Sequence, residues 1–392
     1  MDWKADDLLT WLLGEARISL EGREFVEQLG RKLIDCGAPV WRVRLGCWTI
    51  HPLFGAYSFT WSSDQAEVTE SQLLHGFQDN DAYVGSPFQL VTESGGIFHR
   101  RLDKLDKQRD HKLLFDLADD GATDYLALPL LMSDGSKSII VIASKAELGF
   151  SDEDIKEFEK LAAFIAPVFE VLIFQKLTRT ILNTYVGTRT ADRVLSGQIK
   201  RGDGDIINAA IWFCDLRGFT ALSERSSSFE LLGVLNEYFE IVVSSATSNG
   251  GEVLKFIGDA VLIVFPITKE SDVEKTCQLA LSAASEVFDR IVALNQRREK
   301  SGSLPINLGL GLHVGEVLYG NVGAPDRLDF TVIGAAVNKA ARLEGLTKEL
   351  GKFTLISSEF ASQIGNETQS LGFFELKGIA DAQEVFAPIG MW

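Results

Sequence analysis

The sequence has little cysteine. Its four residues in a chain of 392 (Cys36, Cys47, Cys214 and Cys277) are widely spaced and form no CxxC pair. This spacing argues against a disulfide framework or a cysteine–histidine zinc site, and it predicts reduced, mostly buried thiols. The chain also lacks positive charge, because 55 Asp and Glu stand against 38 Lys and Arg, for a net charge of −17. No basic run offsets this balance, so we expect no binding to nucleic acid or to an anionic membrane.

Long uninterrupted hydrophobic runs are missing as well. The longest candidate, residues 161–174, contains Pro167 and Glu170, so it is not expected to span a membrane. The first residues, MDWKADDLL, lack the basic segment and the cleavage site of a signal peptide. We therefore expect a cytoplasmic protein. Its 46% hydrophobic and 24% charged residues are typical of a globular chain, with room for two or three domains.

Residues 1–150 are predicted to form an α+β regulatory domain. Helical spacing covers residues 23–36, strand-like segments cover 40–50 and 57–61, and a hairpin is predicted from 125–132 and 138–144 around SDGSK. This hairpin, followed by GFSDEDI and a long helix, resembles the C-terminal half of a GAF domain. Two interpretations stay open for residues 1–150, a sensor of an unknown small molecule or a dimerising domain without a ligand.

Residues 151–205 are predicted to be a helical linker that ends in a polar connector over 190–205. Ser151 is placed to cap the helix, with acidic residues in the first turn. Apolar residues at 155, 158, 162, 165, 169 and 172 have heptad-like spacing, which favours a dimerising signalling helix, kinked at Pro167. The alternative is a helix that packs on its own domain.

Residues 206–392 are predicted to form a second α+β domain of ferredoxin-like βαββαβ order. The segments are the strand IINAAIWFC, a helix over 231–245, the hairpin EVLKF and AVLIVF, a helix over 273–294, the strands INLGLGLHVG and EVLYGNVG, and a helix over 335–350. In this order the first strand lies beside the central hairpin. Topology of this kind is shared by many functions, so it does not by itself identify a chemistry.

Two aspartates stand where this topology brings strand ends together. Asp215 ends the first strand, and Asp259 lies in the hairpin turn beside Gly258. Mg²⁺ prefers oxygen ligands and commonly uses one or two carboxylates together with phosphate oxygens. The pair therefore predicts a site for divalent cations and a nucleoside triphosphate.

Three sequence blocks together resemble the catalytic domain of class III nucleotide cyclases over about 180 residues: NAAIWFCDLRGFT (208–220), EVLKFIGDAVLIVF (252–265) and GNVGAPDRLDFTVIGAAVNKAARLE (320–344). The resemblance implies that Asp215, Asp259 and the carbonyl of Leu216 bind two ions of Mg²⁺ or Mn²⁺. It also implies that backbone groups of Gly218, Phe219 and Thr220 contact phosphates.

The same resemblance assigns the remaining substrate contacts. Lys255 and Thr331 match the pair that selects the base, and lysine with threonine is the combination expected for adenine. Asn338 and Arg342 match the residues that orient the ribose and stabilise the transition state, and Arg327 matches a phosphate-binding arginine. Lys377 lies near the family's other phosphate-binding lysine, whose own position has Ile379 here. His313 is expected to be a structural histidine.

The resemblance thus implies a homodimeric adenylate cyclase that converts ATP to 3′,5′-cyclic AMP and pyrophosphate. One chain would supply Asp215 and Asp259 to each site, and its partner Lys255, Thr331, Asn338 and Arg342. The alternatives are a guanylate cyclase, which the Lys255–Thr331 pair disfavours, and an inactive nucleotide-binding module, which would be expected to lack one of these residues.

Overall fold

The computed structural model describes residues 3–65, 67–225, 227–365 and 368–390. The chain divides into two compact units, Met1–Ile181 and Leu182–Trp392. Both combine helices with β-sheet, as the sequence predicts.

The N-terminal unit is built on an antiparallel sheet of six strands in the order β3-β2-β1-β6-β5-β4. The strands are β1 (Arg42–Trp48), β2 (Phe54–Ser62), β3 (Thr69–Leu74), β4 (Phe98–Arg101), β5 (Asp124–Leu131) and β6 (Lys137–Ser144). The predicted hairpin is present as β5 and β6, which pair in register from Asp124↔Ser144 to Leu131↔Lys137.

Helices cover both faces of this sheet. They are the short α1 (Leu9–Trp11) and α2 (Arg17–Ser19), α3 (Gly22–Asp35), α4 (Pro87–Ser94), α5 (Lys112–Asp119) and α6 (Asp152–Val186). Side chains alternate along β1, so that Val43 and Leu45 enter a core formed with α3 and α6. On the opposite face, residues of β5 and β6 meet α4 and α5 in a second, smaller cluster.

The linker helix α6 begins as the sequence predicts. The Ser151 hydroxyl accepts the backbone N–H of Asp154 at 3.1 Å, and the Asp154 carboxylate accepts the backbone N–H of Ser151 at 2.9 Å. These reciprocal bonds satisfy two groups at the start of the helix. The helix then continues through Pro167 to Val186.

The heptad-like stripe of α6 does not form the predicted dimer contact. Phe158, Ile165 and Phe169 are fully buried, and Ala162 and Leu172 are each 5% exposed, in the core of the N-terminal unit. The alternative interpretation, a helix that packs on its own domain, is therefore correct for these positions. Spacing predicts that a helix has an apolar face, but it does not predict which surface covers that face.

By length and composition, α6 is also the one helix in the described residues that could cross a membrane. The interruptions at Pro167 and Glu170 argue against such a role. Core helices of soluble proteins pass the same test, and the segment from Phe158 to Leu172 contributes to the core of the N-terminal unit.

The C-terminal unit has a larger sheet in the order β13-β14-β12-β10-β7-β9-β8, with β11 paired to β10. The strands are β7 (Gly204–Leu216), β8 (Glu252–Ile257), β9 (Ala260–Ile267), β10 (Leu308–Ala324), β11 (Arg327–Ile333), β12 (Thr354–Ser357), β13 (Thr368–Phe374) and β14 (Gln383–Pro388). The helices are α7 (Thr188–Leu195), α8 (Phe219–Arg225), α9 (Ser228–Ser248), α10 (Val273–Lys300), α11 (Ala335–Leu350) and α12 (Ser358–Ile364).

The predicted βαββαβ order runs through β7, α9, β8, β9, α10 and β10, and these four strands lie in the order β10-β7-β9-β8. One element differs from the prediction. Residues 308–324 form a single strand rather than two, because Gly315 pairs with Ala209 and leaves the ladder to β7 unbroken.

The predicted connector over 190–205 is largely ordered within the C-terminal unit. Helix α7 buries Thr190 and Ala191. The Arg193 guanidinium lies 4.7 Å from the centre of the Tyr319 ring and donates to the Asp205 carboxylate at 2.8 Å. These contacts attach the connector to strands β7 and β10.

Candidate active site

The two predicted metal-binding aspartates lie together. Asp215 is near the end of β7 and Asp259 is in the turn of the β8–β9 hairpin, and β9 pairs with β7 up to Cys214↔Val261. Burial, followed by the charge and hydrogen bonding of the Asp259 carboxyl, raises the pKa of Asp215 to about 6. Two carboxyl groups that are close enough to hydrogen bond resist ionising together.

The donor set at this pair fits a divalent cation. A cation would offset both the burial and the repulsion from Asp259 that raise the pKa of Asp215, and carboxylate oxygens are the ligands Mg²⁺ prefers. The Asp215 Oδ1 atom already accepts the backbone N–H of Leu216 at 3.0 Å, which fixes the carboxylate. In the described part of the chain no group of three or more His, Cys, Asp or Glu side chains suits a metal. Other ligands would therefore come from backbone, substrate or water.

A third carboxylate near this pair, Glu344 on α11, is not predicted by the sequence pattern. Burial, then the charge of Asp215, raises the pKa of Glu344 to about 7, while Arg217 opposes the shift. Gly309 makes room for it, since a Cβ atom there would lie 2.5 Å from Glu344 Oε1. Gly309 is also the partner of Asp215 across β10 and β7. Gly309 is the feature of the sequence that points to Glu344, but only the packing of α11 on β10 shows why this position is a glycine.

The loop after Asp215 has the predicted backbone freedom. Gly218 has φ of +75°, a conformation that favours glycine, and α8 begins at Phe219. The Phe219 ring packs against the core of the unit. The Thr220 side chain lies outside the described part of the chain. Arg217 has a structural contact, because its guanidinium donates to the backbone carbonyl of Lys352.

Lys255 lies on β8, before the hairpin turn that carries Asp259. It forms an ion pair with Asp329 on β11, a partner that the sequence pattern alone did not indicate. Lys255, Asp329 and Arg327 line an open groove of about 1300 Å³. Thr331 follows Asp329 by two residues on β11 and is 9% exposed. Asp329 could have been found from this alternation, because residues two apart on a strand share a face.

Asn338 and Arg342 lie on one face of α11, and both are exposed. Within the described residues neither side chain has a hydrogen-bond or ion-pair partner. Neither is among the groups that shift the pKa of Asp215. The chain therefore presents these two side chains to solvent.

Lys377 is exposed in the loop between β13 and β14. Ile379, which occupies the position expected for the phosphate-binding lysine, packs against a cluster that includes Leu376 and Val385. An apolar side chain at 379 therefore has a packing role here.

His313 is structural, as the sequence predicts. Its ring is 6% exposed, and Nδ1 lies 2.8 Å from the Ser357 hydroxyl. Burial lowers the pKa of His313 to about 4. A neutral imidazole that bonds to a hydroxyl satisfies its own polar groups without a ligand.

Residues 204–386 match the family model described as the adenylate and guanylate cyclase catalytic domain. The C-terminal unit contains a class III cyclase catalytic domain. The match spans β7 to β14 and includes every predicted site residue of this unit.

Two curated relatives share the cyclase domain. Adenylate cyclase 1 of Rhizobium meliloti is 31% identical over 183 residues, which cover 46% of this chain and 27% of the relative. An adenylate cyclase of Anabaena cylindrica is 37% identical over 163 residues, covering 41% of this chain and 31% of the relative. The chain thus spans about a third or less of the length of these relatives.

One solved structure resembles a larger part of the chain. A bacterial light-regulated adenylyl cyclase superposes with a TM-score of 0.50 at 22% identity, covering 67% of this chain and 86% of that one. This likeness concerns the fold alone.

Proposed function

We propose that the protein is an adenylate cyclase that converts ATP to 3′,5′-cyclic AMP and pyrophosphate. The observation that carries the proposal is the convergence of Asp215 and Asp259 within a cyclase catalytic domain, where burial and then the charge of Asp259 make Asp215 costly to ionise. A structural pair would gain nothing from this repulsion, whereas a pair that binds cations gains charge compensation.

The metal site has a defined part in the proposal. When bound, two divalent cations, Mg²⁺ or Mn²⁺, supply Lewis-acid activation of the ribose 3′-hydroxyl and neutralise the triphosphate. Asp215, Asp259 and the Leu216 carbonyl hold them. The backbone of Gly218, Phe219 and Thr220 binds phosphate oxygens at the start of α8.

The remaining residues position the nucleotide. Lys255 and Thr331 bind the edge of the adenine, Asn338 orients the ribose, and Arg342 neutralises charge that develops at the α-phosphate. Arg327 and Lys377 contact the outer phosphates. Intramolecular attack of the 3′-oxygen on the α-phosphorus then releases pyrophosphate.

The adenine preference depends on the environment of Lys255. The lysine is 30% exposed as a side chain and is held by Asp329, so its ammonium is oriented rather than freely mobile. An ammonium donates to N1 of adenine, whereas N1 of guanine carries a hydrogen, so guanine would leave donors facing each other. This pattern favours ATP over GTP.

We propose that each site is shared by two chains, which the placement of the residues supports. Lys255 pairs with Asp329, and Asn338 and Arg342 face solvent, whereas the aspartates interact with Glu344 and with each other. A second copy that presents its Lys255 and Arg342 to these aspartates would complete each site. We therefore propose a homodimer with two equivalent sites.

The N-terminal unit is proposed to be the regulatory domain, of a GAF-like kind. Its sheet with helices on both faces, together with the capped helix after GFSDEDI, supports this assignment. Helix α6 would transmit a change in that unit, since its apolar face is buried against the sheet.

A product assay tests the proposed reaction. Purified protein with Mg²⁺ or Mn²⁺ should form cyclic AMP and pyrophosphate from ATP faster than cyclic GMP from GTP, as measured by mass spectrometry. Asp215→Asn and Asp259→Asn should each lower kcat by at least about 100-fold, because loss of a charged anchor costs several kcal/mol of barrier.

Asp289→Asn is the matched control, since Asp289 lies on α10, outside the proposed site. It should retain wild-type turnover.

Equal rates with ATP and GTP would overturn the base assignment. Either aspartate variant with a tenth or more of wild-type activity would overturn the metal assignment, and a wild type with no cyclic product would leave the nucleotide-binding module as the function.

A further inference from the structure

The N-terminal unit contains a cavity of about 260 Å³ on the face of the sheet opposite α6. The sheet side is formed by side chains of five adjacent strands, β3, β2, β1, β6 and β5, and the other side by the segments around α4 and α5. Its polar lining residues include Arg42, Arg44, Ser58 and Tyr125. Its apolar lining residues include Phe77, Tyr83, Phe88, Leu113, Leu117 and Val141. All lie within the described part of this unit.

Two arginines point into this cavity because of the alternation along β1. Val43 and Leu45 face the core with α6, so Arg42 and Arg44 face the other side of the sheet. Burial lowers the pKa of both guanidinium groups. An arginine at these positions is costly, since an apolar residue would cover the sheet without desolvating a charge.

Arg44 has no carboxylate to compensate it in the described contacts. Its guanidinium donates to the Ser58 hydroxyl at 3.1 Å, and the charged or ionisable groups that influence it are Tyr125 and Arg42. The charges of Asp120, Tyr125 and Asp64 raise the pKa of Arg42 against the effect of burial, and its guanidinium lies 6.0 Å from the centre of the Trp41 ring. The Ser58 hydroxyl is the one acceptor that the described hydrogen bonds give these two half-buried guanidinium groups, so their remaining donors are open to a ligand or to solvent.

The opposite wall is apolar and aromatic. The rings of Phe77, Tyr83 and Phe88 form a cluster with Trp48 in which neighbouring centres lie 5.2 to 5.8 Å apart. Leu113 and Leu117 of α5 continue this wall, while Val141 lies on the sheet side as the cross-strand partner of Arg44. Such a surface contributes to binding by burying an apolar group, not by hydrogen bonding.

We propose that this cavity binds a small organic carboxylate with an aromatic or branched apolar body. The guanidinium groups of Arg44 and Arg42 would hold the carboxylate, with the Ser58 and Tyr125 hydroxyls beside it, and the ring cluster would cover the apolar body. A planar fork of donors matches a carboxylate in two parallel hydrogen bonds.

The form of the cavity favours this ligand over the other anions that arginine binds. An inorganic phosphate would satisfy the cations but leave the aromatic wall without a partner. A nucleotide would satisfy them through its phosphate but would bury ribose hydroxyls and base edges against a largely apolar lining, at the cost of their hydration. A monocarboxylate of about ten to fifteen non-hydrogen atoms matches both ends of the site and its size.

Calorimetric titration of the full-length chain tests the proposal. The probes are benzoate, phenylacetate and 3-phenylpropionate, each beside its uncharged amide, with inorganic phosphate and cyclic AMP as competing anions. At least one carboxylate should bind with Kd below about 1 mM, and its amide should bind at least tenfold more weakly.

Arg44→Met should weaken binding of that carboxylate at least tenfold, and Arg44→Lys should weaken it less. Arg109→Met is the matched control, because Arg109 is 86% exposed in the same unit, and it should bind like wild type. Removing a buried charge without a counter-ion should leave the melting temperature of the unliganded protein unchanged or raised, so loss of binding would not reflect misfolding. Val141→Phe, which fills the cavity but retains both arginines, should also abolish binding.

Three results would overturn the proposal: no carboxylate binds at about 10 mM, binding survives Arg44→Met unchanged, or phosphate or cyclic AMP binds more tightly than every carboxylate in a way that Arg44→Met abolishes. Binding that depends on Arg44 is assigned to the cavity of the N-terminal unit, so each outcome is independent of whether the C-terminal unit turns over ATP.

Discussion

At the scale of single residues, the Asp215–Asp259 pair combines binding chemistry with a cost to folding. The raised pKa of Asp215 means that its ionised form is less favourable in the folded chain than in the unfolded chain. That penalty is present when the pH exceeds about 6 and disappears as the pH falls below the ordinary range of an aspartate. Sites that bind charged ligands commonly carry such a penalty.

Asp215→Asn should therefore stabilise the metal-free protein while it abolishes turnover. At pH 8 we expect the free energy of unfolding to rise by on the order of 1–2 kcal/mol, since the substitution removes one of two like charges and keeps an oxygen for the Leu216 N–H. Urea unfolding in the presence of a chelator measures this, with Asp289→Asn as control. A less stable Asp215→Asn would show that the carboxylate is primarily structural.

His313 gives a pH dependence of the opposite sign. Its pKa is about 4 in the folded chain against 6.5 ordinarily, so the unfolded chain binds more protons between these values. The free energy of unfolding should fall by about 1–2 kcal/mol from pH 7 to pH 5 through this residue. Urea unfolding at both pH values should show a smaller drop for His313→Gln than for wild type. An equal drop in both proteins would refute this contribution of His313.

The residues that the sequence identified are those whose neighbours along the chain define their role. Asp215 and Asp259 each sit at a strand end with a glycine close by, which a linear pattern can express. Glu344 and Asp329 were missed, because their relevance comes from contacts across elements, to Asp215 and to Lys255 respectively. No local pattern distinguishes Glu344 from an ordinary exposed glutamate of a helix.

At the scale of elements, α11 depends on glycines in the strand beneath it. A Cβ atom at Gly311 of β10 would lie 2.1 Å from the Ala340 carbonyl oxygen and 2.5 Å from the Glu344 nitrogen, both backbone atoms of α11. Because of this close approach, α11 places Glu344 over Gly309, the residue that pairs with Asp215 across the sheet. The helix that presents Asn338 and Arg342 is thus positioned by the absence of side chains at 309 and 311.

Gly311→Ala should destabilise the C-terminal unit by about 1–3 kcal/mol, because backbone atoms cannot move aside as a side chain can. Gly345→Ala is the matched control. Gly345 lies on α11, and a methyl group placed on its Cα would meet no atom within 4 Å apart from its chain neighbours and the backbone of its own helix, so the substitution should stabilise the helix by up to about 1 kcal/mol. Thermal unfolding measures both. Similar melting temperatures for the two variants would contradict the packing described.

Periodicity predicted most elements of both units, including the helix at Ala335–Leu350 and the β5–β6 hairpin. It failed where the outcome depends on a distant partner. The stripe on α6 has the spacing of a dimer seam, yet the sheet of the N-terminal unit covers it. Likewise Gly315 suggests a strand end, but pairing with β7 carries β10 through it.

At the scale of the whole molecule, the chain joins a cyclase catalytic domain to a unit with its own core and its own cavity. The central claim is that catalysis needs two copies of the chain. Each copy would contribute its aspartates to one site and its Lys255, Asn338 and Arg342 to the other. Because the α6 stripe is buried in the N-terminal unit, the proposed dimer would use surfaces other than this stripe.

Complementation between two inactive variants tests this claim most directly. Asp259→Asn chains and Arg342→Ala chains, each inactive alone, are co-expressed with different tags and the heterodimers are purified through both. Each heterodimer should contain one intact site and one with both substitutions, hence about half of wild-type cyclic AMP production, or roughly a quarter in an unpurified equal mixture. Verified heterodimers that remain as inactive as either parent would contradict the account and place catalysis within a single chain.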